Sequence, residues 1–203
     1  MRCVVVSLCT VLCSTAAADG LYFTESFGVS MGRGDVESTV GRPMHIRVAI
    51  GARYGSFALE PWLTSALQLS REGAWQDFIG GEPPDGMADL ATWGVDAKYI
   101  LPLDDKLSAY VRGGPVFASG TGALEGYSGR GFGASYGMQV TGKVRALGFL
   151  WTPLFFVDKG PKVTAALYLD AGYDFYTLRM NGAPTLDARV GHVSVGFAVG
   201  QTF

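Results

Sequence analysis

The feature that most constrains this chain is a hydrophobic period of two. In VTAALYLDAGYDFYTL, residues 163 to 178, Val163, Ala165, Leu167, Leu169, Ala171, Tyr173 and Phe175 share one face of an extended strand. Thr164, Ala166, Tyr168, Asp170, Gly172, Asp174 and Tyr176 share the other. No charge falls on the apolar face. MHIRVAIGARY (44 to 54) divides in the same way, with Met44, Ile46, Val48, Ile50 and Ala52 against His45, Arg47, Gly51 and Arg53. LATWGVDAKYIL (90 to 101) sets Trp93, Val95, Ala97, Tyr99 and Leu101 against Thr92, Gly94, Asp96, Lys98 and Ile100. Half-buried strands alternate like this because successive side chains point to opposite faces of a sheet.

Eight such segments are expected: 21 to 31, 44 to 54, 56 to 69, 90 to 101, 107 to 118, 131 to 143, 163 to 178 and 191 to 203. The connections between them alternate in length, being short at Gly55 and at Pro102 to Lys106 and long at Gly32 to Pro43, Ser70 to Asp89, Ser119 to Arg130 and Arg179 to Arg189. Short turns on one side and long loops on the other mark an all-β, eight-stranded antiparallel up-and-down transmembrane barrel. The stretch VRALGFLWTPLFFVDKGP (144 to 161) breaks this pattern, since it is long where a short turn is expected. It fits an extension of the sixth strand beyond the bilayer, an interfacial helix with Trp151, Phe155 and Phe156 at headgroup level, or a partial plug. Pro153 argues against a continuous central strand.

A soluble lipocalin-like barrel also has eight alternating strands, with an apolar ligand inside and charge outside. Two observations favour lipid on the apolar face. The polar faces are crowded with small residues such as Gly131, Gly133, Ser135 and Gly137, which suits a narrow lumen. Charged residues make up 17% of the chain, below the roughly 25% usual for soluble domains. Phe23, Tyr54, Tyr99, Phe117 and Phe203 near segment ends then form interfacial girdles. Glu25 falls on the lipid face and is expected at the periplasmic margin, where charge costs little.

MRCVVVSLCTVLCSTAAADG opens with a charge, an apolar run too short to span a bilayer as a helix, and Ala16-Ala17-Ala18, which is the pattern of a cleaved secretory signal. Residues 1 to 18 are therefore expected to be removed, leaving a barrel domain of 19 to 203. All three cysteines, Cys3, Cys9 and Cys13, lie in the signal, so the exported barrel carries no disulfide. The remainder has 15 basic against 18 acidic residues, Arg2 being the only charge lost. Nothing in that balance points to nucleic acid. No cofactor or metal motif is present.

The closing GHVSVGFAVGQTF is expected to pair with the first segment, because an open edge cannot stand in lipid. With the signal, the eight alternating segments and Val195, Phe197, Val199 and Phe203 on one face of the last strand, the sequence resembles small bacterial outer-membrane barrels of the OmpA/OmpX type. The resemblance covers nearly the whole exported chain and is architectural. It implies residence in the Gram-negative outer membrane among its lipids, and recognition of the last strand by the barrel-assembly machinery.

By parity the lumen collects Arg47, Arg53, Glu60, Asp96, Lys98, Arg112, Lys143, Arg145, Asp170 and Asp174. An eight-stranded barrel is only wide enough for side chains to fill, so these are expected to form a packed polar network in a structural or surface-interaction protein. A narrow porin-like channel or small-molecule transporter is the alternative, with Arg112 and Asp174 at its constriction. A lipid A-modifying enzyme is a further one, because His192-Val193-Ser194 has the His-x-Ser spacing of the outer-membrane deacylases. Parity sends both side chains inward, however, and no acid follows on a later strand. The acidic loop 71 to 89, with Trp75 and Phe78, offers a surface for a ligand. Arg33-Gly34-Asp35 matches an adhesion tripeptide, a short motif without supporting context.

Overall fold

A computed structural model describes residues 20–34, 44–67, 88–122, 125–143 and 164–200. The expected signal 1 to 18, the stretch 144 to 161, most of loop 71 to 89, Arg145 and Phe203 lie outside the described residues. The strands are β1 (Gly20–Gly34), β2 (Met44–Tyr54), β3 (Phe57–Leu67), β4 (Ala88–Pro102), β5 (Leu107–Gly122), β6 (Ser128–Lys143), β7 (Thr164–Arg179) and β8 (Leu186–Gly200). Each pairs antiparallel with the next, and β8 closes on β1, giving an all-β barrel with no free edge.

Strand β2 occupies its predicted span, while others run further than the sequence suggests. The long loops expected at 119 to 130 and 179 to 189 shrink to 123–127 and 180–185. Glycine and serine clusters read as turn signals there, yet in the wall they allow close approach of neighbouring strands. A Cβ on Gly131, for example, would run into the Phe175 carbonyl. The two-residue turn between β2 and β3 depends on Gly55, whose φ of 60° is left-handed.

The register fixes the tilt. Thr24 pairs with Ala49, Ala49 with Trp62, Trp62 with Gly94, Gly94 with Val116, Val116 with Gly131, Gly131 with Tyr176, Tyr176 with Ala188, and Ala188 with Gly34. One circuit therefore climbs ten residues, a shear of ten over eight strands. With ordinary strand spacings this tilts the strands by about 40° and gives each residue about 2.5 Å of height along the axis.

The two faces differ sharply. Outside, Ile50, Phe57 and Leu169 are each 60% exposed and Tyr136 is 67% exposed. Inside, Glu60 is fully buried and Asp170 nearly so. A lipocalin-like arrangement has the opposite sidedness, so the apolar face is the lipid face. The apolar belt climbs from Leu21 and Leu101 at the short-turn rim to Phe117 and Phe175, a height of about 25 Å, which matches the lipid-facing band of membrane barrels. Phe57 meets Tyr99 in a tilted pair near its lower edge, and Trp93 stacks on Phe117 and Tyr173 on Phe175 near its upper edge.

Glu25 departs from expectation. It points outward between Val48 and Phe197, about 11 Å above the lower edge of the belt on the same height scale. It therefore lies near the middle of the belt and not at its periplasmic margin, because β1 already reaches the short-turn rim at Gly20.

Candidate functional site

Alternation along each strand delivers inward side chains to the lumen, and the shear decides which of them meet at one height. Three tiers result. The lowest, toward the short turns, holds Tyr22 packed with the small side chains Ala58, Ala166 and Ala198, and Tyr110 and Tyr168 packed with Ile100. Gly51 makes room for the Tyr22 ring, with which any Cβ there would collide. The tyrosine rings close the floor, and the Tyr22 and Tyr110 hydroxyls turn toward the charges above, to Glu60 and Asp170.

The middle tier is ionic. Glu60, on β3, accepts a hydrogen bond from the Tyr22 hydroxyl at 2.6 Å and from Lys98 Nζ at 3.1 Å, and pairs with Arg112 Nη1 at 3.3 Å. Asp170, on β7, lies 2.7 Å from Arg112 Nη2 and accepts from Tyr110 at 3.2 Å and Ser194 at 3.3 Å. Asp96 accepts from Arg47 Nη2 at 2.6 Å and lies 3.8 Å from Arg112 Nε, which also donates to Ser135 Oγ at 2.7 Å. Arg47 and Lys98 in addition sit 4.3 Å above the rings of Trp62 and Tyr110. Three carboxylates face three cations. Arg112 is the hub, because among the described residues it alone touches all three acids.

Above this tier, Ser30 bonds His45 Nδ1 at 2.9 Å, and the His45 and His192 rings meet edge to face at 5.8 Å. His192 Nε2 is 3.4 Å from Asp170, and its Nδ1 is 3.9 Å from Asp174. The two histidines and Asp174 line a cavity of about 50 Å³, large enough for roughly three waters. Over it an apolar tier closes in: Leu90, Val116, Ala118, Tyr176, Leu178 and Ala188 are all buried.

The residues singled out by parity thus divide. Arg47, Glu60, Asp96, Lys98, Arg112 and Asp170 meet in one network, and Asp174 stands over it at the cavity. Arg53 stands apart, donating from Nε to the Gly55 carbonyl at 2.7 Å and so bracing the β2–β3 turn. Parity alone puts it in the lumen, but it lies one residue from the strand's end, where an inward direction leads to the rim. Lys143 ends β6 opposite Thr164. Val195, Phe197 and Val199 lie on the outward face of β8, against β1. His192 and Ser194, with the spacing of a lipid A-modifying site, point into the lumen and are engaged with Asp170. Tyr22, Tyr110, Tyr168, Trp62 and His45 join the site although they are absent from the charged set that parity collects; the signal for them is an aromatic ring on the polar face of a strand, as at His45 and Tyr168.

No family model and no curated protein matches the sequence. The structure is similar to the neisserial surface protein A, NspA, at 16% identity and a TM-score of 0.56, covering 88% of this chain and 96% of that one. It is also similar to Ail, the attachment invasion locus protein of Yersinia pestis, at 9% identity and a TM-score of 0.46, covering 89% and 97%. The N-terminal β-barrel domain of Pseudomonas aeruginosa OprF aligns at 14% identity and a TM-score of 0.41, covering 88% and 96%. At these identities the likeness is one of fold, that of the eight-stranded outer-membrane barrel.

Proposed function

We propose that the protein resides in the bacterial outer membrane as a sealed barrel with a structural or surface-interaction role, presenting its outward wall and its long-loop end to the surroundings. One observation carries the reading: a charge-balanced, buried network centred on Arg112 fills the lumen between a tyrosine floor and an apolar roof. Opening a path would strand charges in a low-dielectric interior, which is costly. Export by the signal 1 to 18, recognition of the last strand by the assembly machinery and a ligand contact through loop 71 to 89 belong to the same proposal.

The reading is tested by planar-bilayer recording on the purified barrel, with wild type and Arg112→Ala. A silent wild type supports it. Reproducible conductance steps in wild type that change in Arg112→Ala overturn it and establish the narrow-channel alternative, which has the small polar cavity above Arg112 in its favour. On the sealed reading the protein is not an enzyme, because lipid does not reach the inward side chains of His192 and Ser194. Identical lipid A acylation in cells with and without the protein is the corresponding outcome, and a mass difference abolished by His192→Ala contradicts it.

A further inference from the structure

Above the aromatic edge of the belt, the outward face changes character. Arg33, Arg130, Arg179 and Arg189 are all exposed there, on β1, β6, β7 and β8. On the axial scale set by the shear, all four lie within about 12 Å above Phe117. This is the long-loop end, which faces outward in a membrane barrel. None of the four is held by a carboxylate among the described residues. Arg33 and Arg189 even stand directly opposite one another in the β1–β8 register, an arrangement that is destabilising for like charges unless something compensates.

Two of these arginines flank a built feature. Phe117 pairs with Arg130, Arg130 with Thr177, and Ser128 with Arg179, so the two guanidinium groups sit diagonally across the β6–β7 seam. Beside them the Trp93 and Phe117 rings stack at 6.1 Å. Trp93, Phe117, Ser128, Arg130, Thr177 and Arg179 line a surface cleft of about 530 Å³. Its lower wall is aromatic and level with the top of the lipid belt. Its upper wall carries the two arginines with the Ser128 and Thr177 hydroxyls between them, and the exposed Asp187 beside it accepts from Thr177 at 3.1 Å.

We propose that this cleft binds the phosphorylated headgroup of an outer-leaflet lipid. Arg130 and Arg179 clamp the phosphate through charge-assisted hydrogen bonds, for which the planar guanidinium is suited. Ser128 supplies a further donor, the Thr177 hydroxyl being donated to Asp187 at 3.1 Å, and the Trp93–Phe117 pair packs on the glycolipid where headgroup meets acyl chain. The order of the walls matches the order of groups in such a lipid, with acyl chains below and phosphate above. A free anion would have no use for the aromatic wall.

The inference rests on the barrel lying in the outer membrane. It is tested by native mass spectrometry of the full barrel in detergent, with lipid A, dephosphorylated lipid A and inorganic phosphate as probes. Wild type, Arg130→Gln/Arg179→Gln and Lys106→Gln, the last at the opposite rim, are compared. The expected result is that wild type and Lys106→Gln prefer lipid A over its dephosphorylated form by at least tenfold, and that the double variant loses this preference. Equal preference in wild type and the double variant overturns the proposal. So does displacement of lipid A by an equal concentration of inorganic phosphate, which would make the cleft a free-anion site. Gel mobility of boiled and unboiled samples separates the two levels of argument. A folded, heat-shifting barrel without phosphate preference refutes the cleft alone, whereas a protein that never folds in detergent or lipid refutes the membrane reading with it.

Discussion

Replacing Arg112 by Met exposes what the luminal network contributes. Arg112 touches Asp170 at 2.7 Å, Glu60 at 3.3 Å and Asp96 at 3.8 Å. After its removal Glu60 keeps Lys98 and Asp96 keeps Arg47, so Asp170 is the carboxylate left without a permanent cation. Removing one partner of a buried pair costs about 3–5 kcal/mol, most of it the penalty of the stranded charge. At a urea slope of about 2 kcal/mol per molar, the unfolding midpoint falls by roughly 2 M. The assay is equilibrium unfolding in detergent micelles, followed by the fraction of protein in the heat-sensitive fast band on gels. Asp170→Asn alone costs about 1–3 kcal/mol, because Arg112 retains two acids. The double variant Arg112→Met/Asp170→Asn removes the stranded charge and is expected to be more stable than Arg112→Met alone. A midpoint unchanged in Arg112→Met, or a double variant as unstable as the sum of the singles, refutes the network as described.

Two further outcomes follow from particular residues. Glu25 lies near mid-belt on the lipid face, so Glu25→Leu is expected to raise stability in bilayers by about 1–2 kcal/mol; a loss of stability in the same unfolding assay would show that the carboxylate has a partner in the membrane. In the β4–β5 turn Asp104 accepts backbone N–H bonds from Lys106 at 2.7 Å and Leu107 at 2.6 Å, which hold its carboxyl below its ordinary value. A depressed folded-state pKa gives stability that is present above the unfolded value of about 3.9 and is lost as pH falls through the folded one. Wild type therefore weakens more steeply than Asp104→Asn on acidification below about pH 4, and parallel pH profiles contradict this.

Much of the barrel is legible in the sequence because period two is a property of the chain itself. Once Leu167 and Leu169 face lipid, Tyr168 and Asp170 must face inward. The height at which inward residues meet is not local in this sense. Glu60 and Asp170 are separated by three strands, and only the shear of ten brings both to Arg112. The same circuit lifts Glu25 to mid-belt, away from the periplasmic margin expected for its charge. Arg53 shows the limit of parity at a strand's end, where the same inward direction leads to the rim. The glycine clusters near 120 and 130 misled for another reason: a small residue that permits a turn also permits two strands to approach closely, and only the neighbouring strand decides between them.

The sidedness and the seal of the wall can be measured together by a nitroxide scan of β7 from Ala166 to Phe175, one cysteine at a time, in lipid bilayers. All three native cysteines lie in the segment expected to be cleaved. Oxygen accessibility is predicted to peak at Leu167, Leu169, Ala171, Tyr173 and Phe175, with Tyr168 and Asp170 reached by neither oxygen nor a water-soluble nickel chelate. Free access of the chelate to the inward positions would contradict the sealed lumen, and a period of the opposite phase would contradict the assignment of the lipid face.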